Sequence, residues 1–329
     1  MKNFDFVGIG DIVTDAFIRL RDADLHLDEA KQQQELCVRF GDKIPYKFVK
    51  IVPAVGNATN ACVAASRLGL NSAYITNQGD DMIGKENIKA LEEDRVSTDY
   101  VFSHTGIKSN YHYVLWYGAD RTILIKHEVY PYIMPQDFTT KWLYLSSLGS
   151  TSELFHADIE RYLEAFPNTK LAFQPGTFQI SLGIDKLKNI YAKSEIFFCN
   201  KDEAQRILSN KEEDPKKLSD AMRSLGPKIV VITDGPAGAY AFDGANYWFV
   251  PAYPDPAPPL SRTGAGDSFS STVTAALALG KPLEEALLWG PVNSAYVVQK
   301  IGARKGLLHR EELEKLLASA PETYKLKTI

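Results

Sequence analysis

Short apolar segments alternate with longer amphipathic segments over most of the chain. The apolar segments have the length of buried β-strands, whereas the amphipathic segments repeat with the period of a helix. The predicted strands are Phe4–Gly10, Ser72–Asn77, Leu143–Ser146, Lys170–Phe173, Glu195–Cys199 and Lys228–Thr233. The predicted helices are Thr59–Leu68, Ile83–Glu93, Glu153–Phe166, Ile180–Tyr191, Lys201–Leu208 and Pro215–Leu225. Strands that alternate with helices predict an α/β fold with a mostly parallel sheet and helices on both faces.

Three segments depart from this alternation because they are rich in β-forming residues and contain turn signals. Residues 33–51 and 110–127 are each predicted to form a hairpin outside the main sheet, with turns at 41–43 and 118–120. A third hairpin pairs Ala239–Phe242 with Tyr247–Val250. After a proline-rich segment at 251–259, the pattern predicts three C-terminal helices: Gly266–Leu279, Leu283–Gln299 and Arg310–Ala318.

Composition places the chain among globular proteins. Its 329 residues are 45% hydrophobic and carry a formal net charge of −4, which argues against nucleic acid as a partner. No apolar stretch is long enough to span a membrane. Acidic residues occupy the N-terminal region where a signal peptide needs an apolar core, and the three cysteines are far apart. We therefore expect a cytoplasmic protein without a membrane partner.

The segment 262–269, Arg-Thr-Gly-Ala-Gly-Asp-Ser-Phe, carries the strongest chemical signal and begins a helix of small residues. Gly264, Ala265 and Gly266 let an anion approach main-chain N–H groups, and the helix dipole favours negative charge there. Asp267 next to such an anion hole suits a general base for an attacking hydroxyl. The alternative is that Asp267 is merely an acidic residue in the first turn of a helix.

Other motifs match those of a known family. The sequence resembles the ribokinase-like (PfkB) carbohydrate kinase family over nearly the whole chain, and its motifs occur in the family's order. The matching segments are Gly56–Ala61 with Ala64–Gly69, then Gly79–Gly84, Asn200–Glu203, Thr233–Gly238 and Thr263–Phe269. This resemblance implies a three-layer α/β/α fold with a central, mostly parallel sheet and a small β-sheet lid. It assigns 1–15, 52–104 and 128–329 to the main domain, and 16–51 and 105–127 to the lid.

The resemblance also implies an activity: phosphoryl transfer from ATP to a hydroxymethyl group, with Asp267 as base and Gly264, Ala265 and Gly266 as anion hole. It implies that the substrate-binding residues are Asp15, at the end of the first strand, and Gly56, Asn57 and Asn60. It places Thr233, Gly235 and Gly238 along ATP, and Asn293 near the adenine. Asn200 and Glu203 are assigned to Mg²⁺ through its water shell. From spacing alone, an Asn helix cap with an acid three residues later explains this pair nearly as well.

Three positions depart from the family pattern. Val55 stands before Gly56 where many members have a second glycine, and this alters the pocket wall. Gln174 replaces the more usual Asp or Asn before a proline. Ser261 replaces an aspartate that serves monovalent-cation activation in some members, so dependence on K⁺ is left open.

The substrate is also left open. The lid segment contains aromatic residues that can stack on a ligand or form the lid's own core, and Arg121 or Lys126 can meet a substrate phosphate or remain solvated. The scattered histidines are interpreted as surface or core residues. The alternatives to a sugar kinase are a nucleoside kinase of the same fold and a catalytically idle ligand sensor. Open lid edges predict a homodimer.

Overall fold

A computed structural model describes residues 1–28, 33–118, 120–260 and 262–329. Three predicted features therefore fall partly outside the description. The predicted lid range 16–51 includes residues 29–32. Ala119 belongs to the predicted turn of the 110–127 hairpin, and Ser261 belongs to the question of K⁺ dependence. Among the residues described, no helix is both long and apolar enough to cross a membrane.

The strands lie in three sheets. In chain order they are β1 Lys2–Ile9, β2 Val13–Leu20, β3 Asp24–Asp28, β4 Gln33–Cys37, β5 Tyr46–Val55, β6 Ser72–Gly79, β7 Ser97–His104, β8 Tyr111–Tyr117, β9 Asp120–Leu124, β10 Phe138–Leu145, β11 Lys170–Phe173, β12 Ser194–Asn200, β13 Ile229–Thr233, β14 Ala239–Phe242, β15 Tyr247–Val250 and β16 Lys327–Thr328. Within the described ranges, the large sheet has the order β16-β15-β14-β13-β12-β11-β10-β1-β6-β7. Its strands from β7 to β13 in this order are parallel, and β14, β15 and β16 are antiparallel.

Helices cover both faces of this sheet. They are α1 Asn57–Arg67, α2 Met82–Glu93, α3 Glu153–Ala165, α4 Thr177–Leu182, α5 Ile184–Lys193, α6 Lys201–Ile207, α7 Pro215–Ser224, α8 Ala265–Ala278, α9 Leu283–Val297 and α10 Arg310–Ala318. One core contains buried residues of α1, α2, α8, α9 and α10, and the other contains buried residues of α3, α5, α6 and α7. Both cores form because parallel strands present apolar side chains on both faces. The predicted three-layer α/β/α fold is thus confirmed.

The lid is a smaller sheet with the order β5-β2-β8-β9, accompanied by the hairpin of β3 and β4. Its own core consists of Val13, Phe17, Val52, Val55 and Val114, with Ile301 from the main domain packed against them. The lid therefore rests on the large domain through apolar contacts at the ends of β2 and β5.

Three predictions of local structure are wrong. Residues 33–51 do not form one hairpin, because β4 pairs with β3 whereas β5 pairs with β2 to bury its valines in the lid core. The segment 180–191 is not one helix, because Gly183 adopts φ 86° and separates α4 from α5. Asp15 does not end the first strand, because that strand ends at Ile9 and Asp15 lies within β2. The hairpins β8-β9 and β14-β15 are confirmed.

Candidate functional site

A cavity of about 270 Å³ lies between the lid and the carboxyl ends of the parallel strands. This is the edge of an open α/β sheet where ligands usually bind. The cavity is lined by Asp11, Val13, Asp15, Val55, Gly56, Asn57, Asn60, His112, Ile123, Ile125, His127, Ser147, Thr177, Phe178, Thr263, Asp267 and Ala303. The lining therefore combines lid strands with the starts of α1, α4 and α8.

Asp267 reaches this cavity from the first turn of α8. Its Oδ2 accepts a hydrogen bond from Asn60 Nδ2 at 2.9 Å, and its Oδ1 accepts one from Gln174 Nε2 at 3.2 Å. Burial raises the pKa of Asp267 above its ordinary value, although these two hydrogen bonds and the charge of Arg121 act in the opposite direction. A partly buried carboxylate with a raised pKa is well suited to accept a proton at neutral pH.

The start of α8 depends on the backbone freedom of glycine. Gly264 caps the helix with φ 79°, and a Cβ built on it would lie 2.3 Å from the Cβ of Ala303. No alternative side chain fits this close approach. The first N–H groups of α8 have no partner within the helix and lie at its positive end. This arrangement can receive a phosphoryl group beside Asp267.

The predicted substrate residues Asp15, Gly56, Asn57 and Asn60 all line the cavity. Asp15 is 8% exposed, and burial raises its pKa to about 7 while the charge of Arg121 opposes that shift. Gly56 has φ 124°, and a Cβ there would lie 2.5 Å from the carbonyl oxygen of Asp11. Val55, the departure from the family pattern, forms part of the cavity wall.

The candidate metal and nucleotide residues lie along the same sheet edge. Asn200 and Thr233 are direct partners at the ends of β12 and β13, and Gly235 and Gly238 follow in the next turn. Asn200 and Glu203 form a capping box at the start of α6: each side chain accepts the other's backbone N–H at 2.8 Å. The pKa of Glu203 is raised, first by burial, with the charge of Asp267 contributing.

The structure does not bring Asn293 to the cavity. Its side chain is fully buried on α9, where Nδ2 donates to Thr272 Oγ1 at 2.8 Å and Oδ1 accepts from the N–H of Leu308 at 2.9 Å. Both polar atoms of the side chain therefore have partners within the protein. Its contact with adenine stays a prediction.

Sequence reasoning did not assign to the site four residues that the fold brings there, although it had noted Gln174 as a departure from the family pattern. Asp11, His112 and His127 line the cavity, and Gln174 contacts Asp267. Asp11 follows the first strand directly, a position that could have been noticed as a sheet-edge acid. No comparable signal marks the histidines, because His112 is placed by the pairing of β2 with β8, and His127, in the segment after β9, is placed by its contact with Asp11.

Several buried polar atoms around the cavity lack a hydrogen-bond partner. They are Asn60 Oδ1, His112 Nε2 and Arg121 Nε. Arg121 lies on β9 two residues before the lining residue Ile123, so the two side chains share one face of the lid. Because buried polar groups in native proteins are nearly always paired, this concentration indicates a place where a polar ligand completes the hydrogen bonding.

Comparisons with known proteins agree with this geometry. The family model described as pfkB family carbohydrate kinase matches residues 52–310. A ribokinase from Bacillus subtilis is 26% identical over 268 residues, covering 80% of this chain and 87% of the relative.

Two solved structures share the fold. A nucleoside kinase from Methanocaldococcus jannaschii superposes with a TM-score of 0.79 at 16% identity and covers 97% of this chain and 99% of its own. An Arabidopsis thaliana ribokinase complexed with ribose and ATP superposes with a TM-score of 0.79 at 21% identity, covering 96% of this chain and 99% of its own. The family predicted from the ordered motifs is therefore confirmed: this chain belongs to the pfkB family of carbohydrate kinases, ATP-using phosphotransferases with an alcohol group as acceptor.

Proposed function

We propose that this kinase transfers the γ-phosphoryl group of ATP to a hydroxymethyl group of a small sugar. Asp267 removes the proton of the acceptor hydroxyl as its oxygen bonds to the γ-phosphorus. The bond from that phosphorus to the β–γ bridging oxygen breaks, and ADP leaves with the electron pair. The N–H groups at the start of α8, at Gly264, Ala265 and Gly266, stabilise the negative charge on the transferring group.

The observation that supports this proposal is the position of Asp267 in a cavity otherwise rich in hydroxyl-binding groups. Asp15, Asn57 and Asn60 line the same space, and Asn60 holds Asp267 directly. Carboxylates and amides suit polyols because each group can bind more than one hydroxyl. The lid above the cavity restricts access of water to the phosphoryl group.

A screen of sugars and nucleosides with ATP and Mg²⁺ tests the function. We expect ADP release that depends on one class of hydroxymethyl compound, together with a low rate of ATP hydrolysis without acceptor. Calorimetry that detects ligand binding without phosphoryl transfer to any acceptor would instead indicate a catalytically idle sensor.

Mg²⁺ fits beside Asn200 and Glu203. Each side chain has accepting capacity beyond its capping bond, and the nearby charge of Asp267 makes the site more negative. In the described part of the chain, no group of three or more His, Cys, Asp or Glu side chains could hold a metal. Asn200 and Glu203 would hold Mg²⁺ through its water shell, which requires no such cluster, and the bound ion would supply positive charge to neutralise phosphate.

Replacing Glu203 separates metal binding from helix capping. Glu203→Gln keeps an oxygen that accepts the N–H of Asn200, so we expect a nearly unchanged free energy of unfolding. Loss of the charge should raise the Mg²⁺ concentration for half-maximal activity by about tenfold, the effect of one charge-assisted interaction of about 1.5 kcal/mol. Steady-state kinetics under Mg²⁺ titration provides the measurement.

Glu312→Gln is the matched control, because Glu312 forms the corresponding capping box with His309 at the start of α10. It should leave the Mg²⁺ requirement unchanged. An unchanged requirement in Glu203→Gln as well would remove Glu203 from the metal site.

A nucleoside kinase is the second candidate. Ile123, Ile125 and Phe178 give the cavity an apolar wall that suits a base better than a hydroxyl. The structural similarity to a nucleoside kinase supports the same possibility. Higher kcat/KM for nucleosides than for free sugars in the screen would favour it.

We also propose that 16–51 and 105–127 act as the lid on a main domain of 1–15, 52–104 and 128–329, although β2 and β5 extend the lid sheet into 13–15 and 52–55. We propose in addition that two copies of the chain associate through their lids. Val49, Ile51, Tyr113 and Leu124 lie on one face of the small sheet and are 42–55% exposed. An exposed apolar face of this kind and open edge strands favour association with a second copy.

A further inference from the structure

Two carboxylates and two imidazoles form a continuous row along one wall of the cavity. Asp11 Oδ2 lies 3.0 Å from His127 Nδ1, the rings of His127 and His112 are 5.3 Å apart, and His112 Nδ1 lies 3.6 Å from Asp15 Oδ1. All four residues line the cavity. The row connects the main domain, which contributes Asp11, to lid strands β2 and β8.

The inner end of the row is held rigidly. Asp11 Oδ2 accepts the N–H of Gly149 at 2.7 Å, and Asp11 Oδ1 accepts the hydroxyl of Tyr132 at 3.0 Å. A carboxylate only accepts hydrogen bonds, so His127 donates to Asp11 through Nδ1, and the neutral imidazole then has Nε2 as its accepting nitrogen.

His112 has the same orientation at the lid end. It is the direct partner of Asp15 across β2 and β8, and its Nδ1 faces the Asp15 carboxyl group. Burial, with a contribution from His127, lowers the pKa of His112 to about 4, so the imidazole is neutral at pH 7. With Nδ1 protonated, His112 Nε2 is a buried acceptor without a partner in the structure.

The charges around the cavity are unfavourable for an anionic substrate. Asp11, Asp15 and Asp267 line it, and no Lys or Arg of the described ranges is among the lining residues. The positive charge of Arg121 interacts with the carboxyl groups of Asp15 and Asp267, and these two groups balance it. A second negative group on the substrate, besides the phosphates of ATP, would therefore be repelled by those carboxyl groups that are ionised.

We propose that His112 and His127 determine specificity by accepting hydrogen bonds from substrate hydroxyl groups through Nε2, and that the phosphoryl acceptor is an uncharged polyhydroxy compound. The phosphate of a sugar phosphate, or the carboxylate of a sugar acid, can only accept hydrogen bonds and would face the accepting nitrogens and carboxylates of this wall. This inference rests on the proposed kinase function and specifies its substrate class.

Matched pairs of acceptors test the substrate class. Each pair contains a neutral compound and its phosphate with a free hydroxymethyl group: ribose and ribose 1-phosphate, fructose and fructose 6-phosphate, cytidine and cytidine 3′-monophosphate. We expect the neutral member to have at least about tenfold higher kcat/KM in every pair that reacts, the effect of about 1.4 kcal/mol of repulsion. No transfer to any member would refute the kinase function itself.

Preference for the phosphorylated member, with transfer intact, would overturn only the inference about substrate class. Loss of that preference in Arg121→Gln would then show that Arg121 binds the substrate anion.

His112→Asn tests the histidine directly. We expect KM for the preferred neutral acceptor to rise about tenfold, as for one lost hydrogen bond, while kcat and KM for ATP change little. His112→Gln serves as a second variant if His112→Asn folds poorly. His309→Asn, at the N-cap of α10, is the control and should leave all three constants unchanged. An unchanged KM for the acceptor in both folded His112 variants would refute the role of His112.

Discussion

Asp267→Asn is expected to lower kcat by about 10²–10⁴, the usual contribution of a general base. KM for sugar and for ATP should change little, because the amide keeps the size of the side chain and one accepting oxygen towards Asn60 or Gln174. Since the proton acceptor is needed only as the hydroxyl attacks, its loss affects turnover more than binding. Steady-state kinetics, with single-turnover experiments for the chemical step, provides the measurement.

The pH dependence adds a second readout for Asp267. Burial raises its pKa, so activity of the wild-type enzyme should fall as the pH decreases towards that raised value and the carboxylate becomes protonated. Glu153→Gln is the control, because Glu153 is an exposed acid in the first turn of α3. Wild-type turnover in Asp267→Asn would show that another group accepts the proton.

Gly264→Ala should damage both stability and catalysis. Alanine at φ 79° adopts a left-handed conformation, and its Cβ would lie 2.3 Å from that of Ala303. Together, the conformational cost and the overpacking predict a loss of about 2–4 kcal/mol in the free energy of unfolding. The displaced N–H groups at the start of α8 should lower kcat by about 10² or more. Chemical denaturation and steady-state kinetics measure the two effects.

Gly266→Ala separates catalysis from stability in the same segment. A Cβ at Gly266 meets no atom within 4 Å, and alanine favours the helix, so stability should hold or rise by up to about 1 kcal/mol. We nevertheless expect kcat to fall by about 10², because the methyl group displaces the phosphoryl group from the helix start. Wild-type activity in Gly266→Ala would mean that the phosphoryl group does not approach the helix start.

The fold was largely predictable because its strongest signals are local. The apolar segments that became β11 and β13 were predicted to within one residue of their observed bounds, and the helix α10 begins and ends where its periodicity indicates. The failures occurred where distant contacts decide the pairing. Residues 33–51 contain a turn signal, yet β5 pairs with β2 because that pairing buries Val52 and Val55 against Phe17.

The residues of the candidate site were likewise predictable where local motifs carry them and not where distant contacts decide. Asp267, Gly264 and Asn60 belong to motifs whose residue types suit phosphoryl transfer, and they lie together in the structure. Asn293 was assigned to the site from its motif position, but the structure does not bring it to the cavity. The sequence does not reveal that both polar atoms of its side chain form hydrogen bonds within the protein, with Thr272 and Leu308.

The order of motifs along the chain was by itself sufficient to determine the family, the α/β class and the acid at the start of α8, since each depends on residue types at short spacing. Only the tertiary structure decided that Asp11, His127, His112 and Asp15 form one wall of the cavity. These residues come from separate strands and from the segments that connect strands, and they become neighbours through sheet register and lid packing. Both depend on the burial of apolar side chains that are distant in the sequence, so they leave no local pattern.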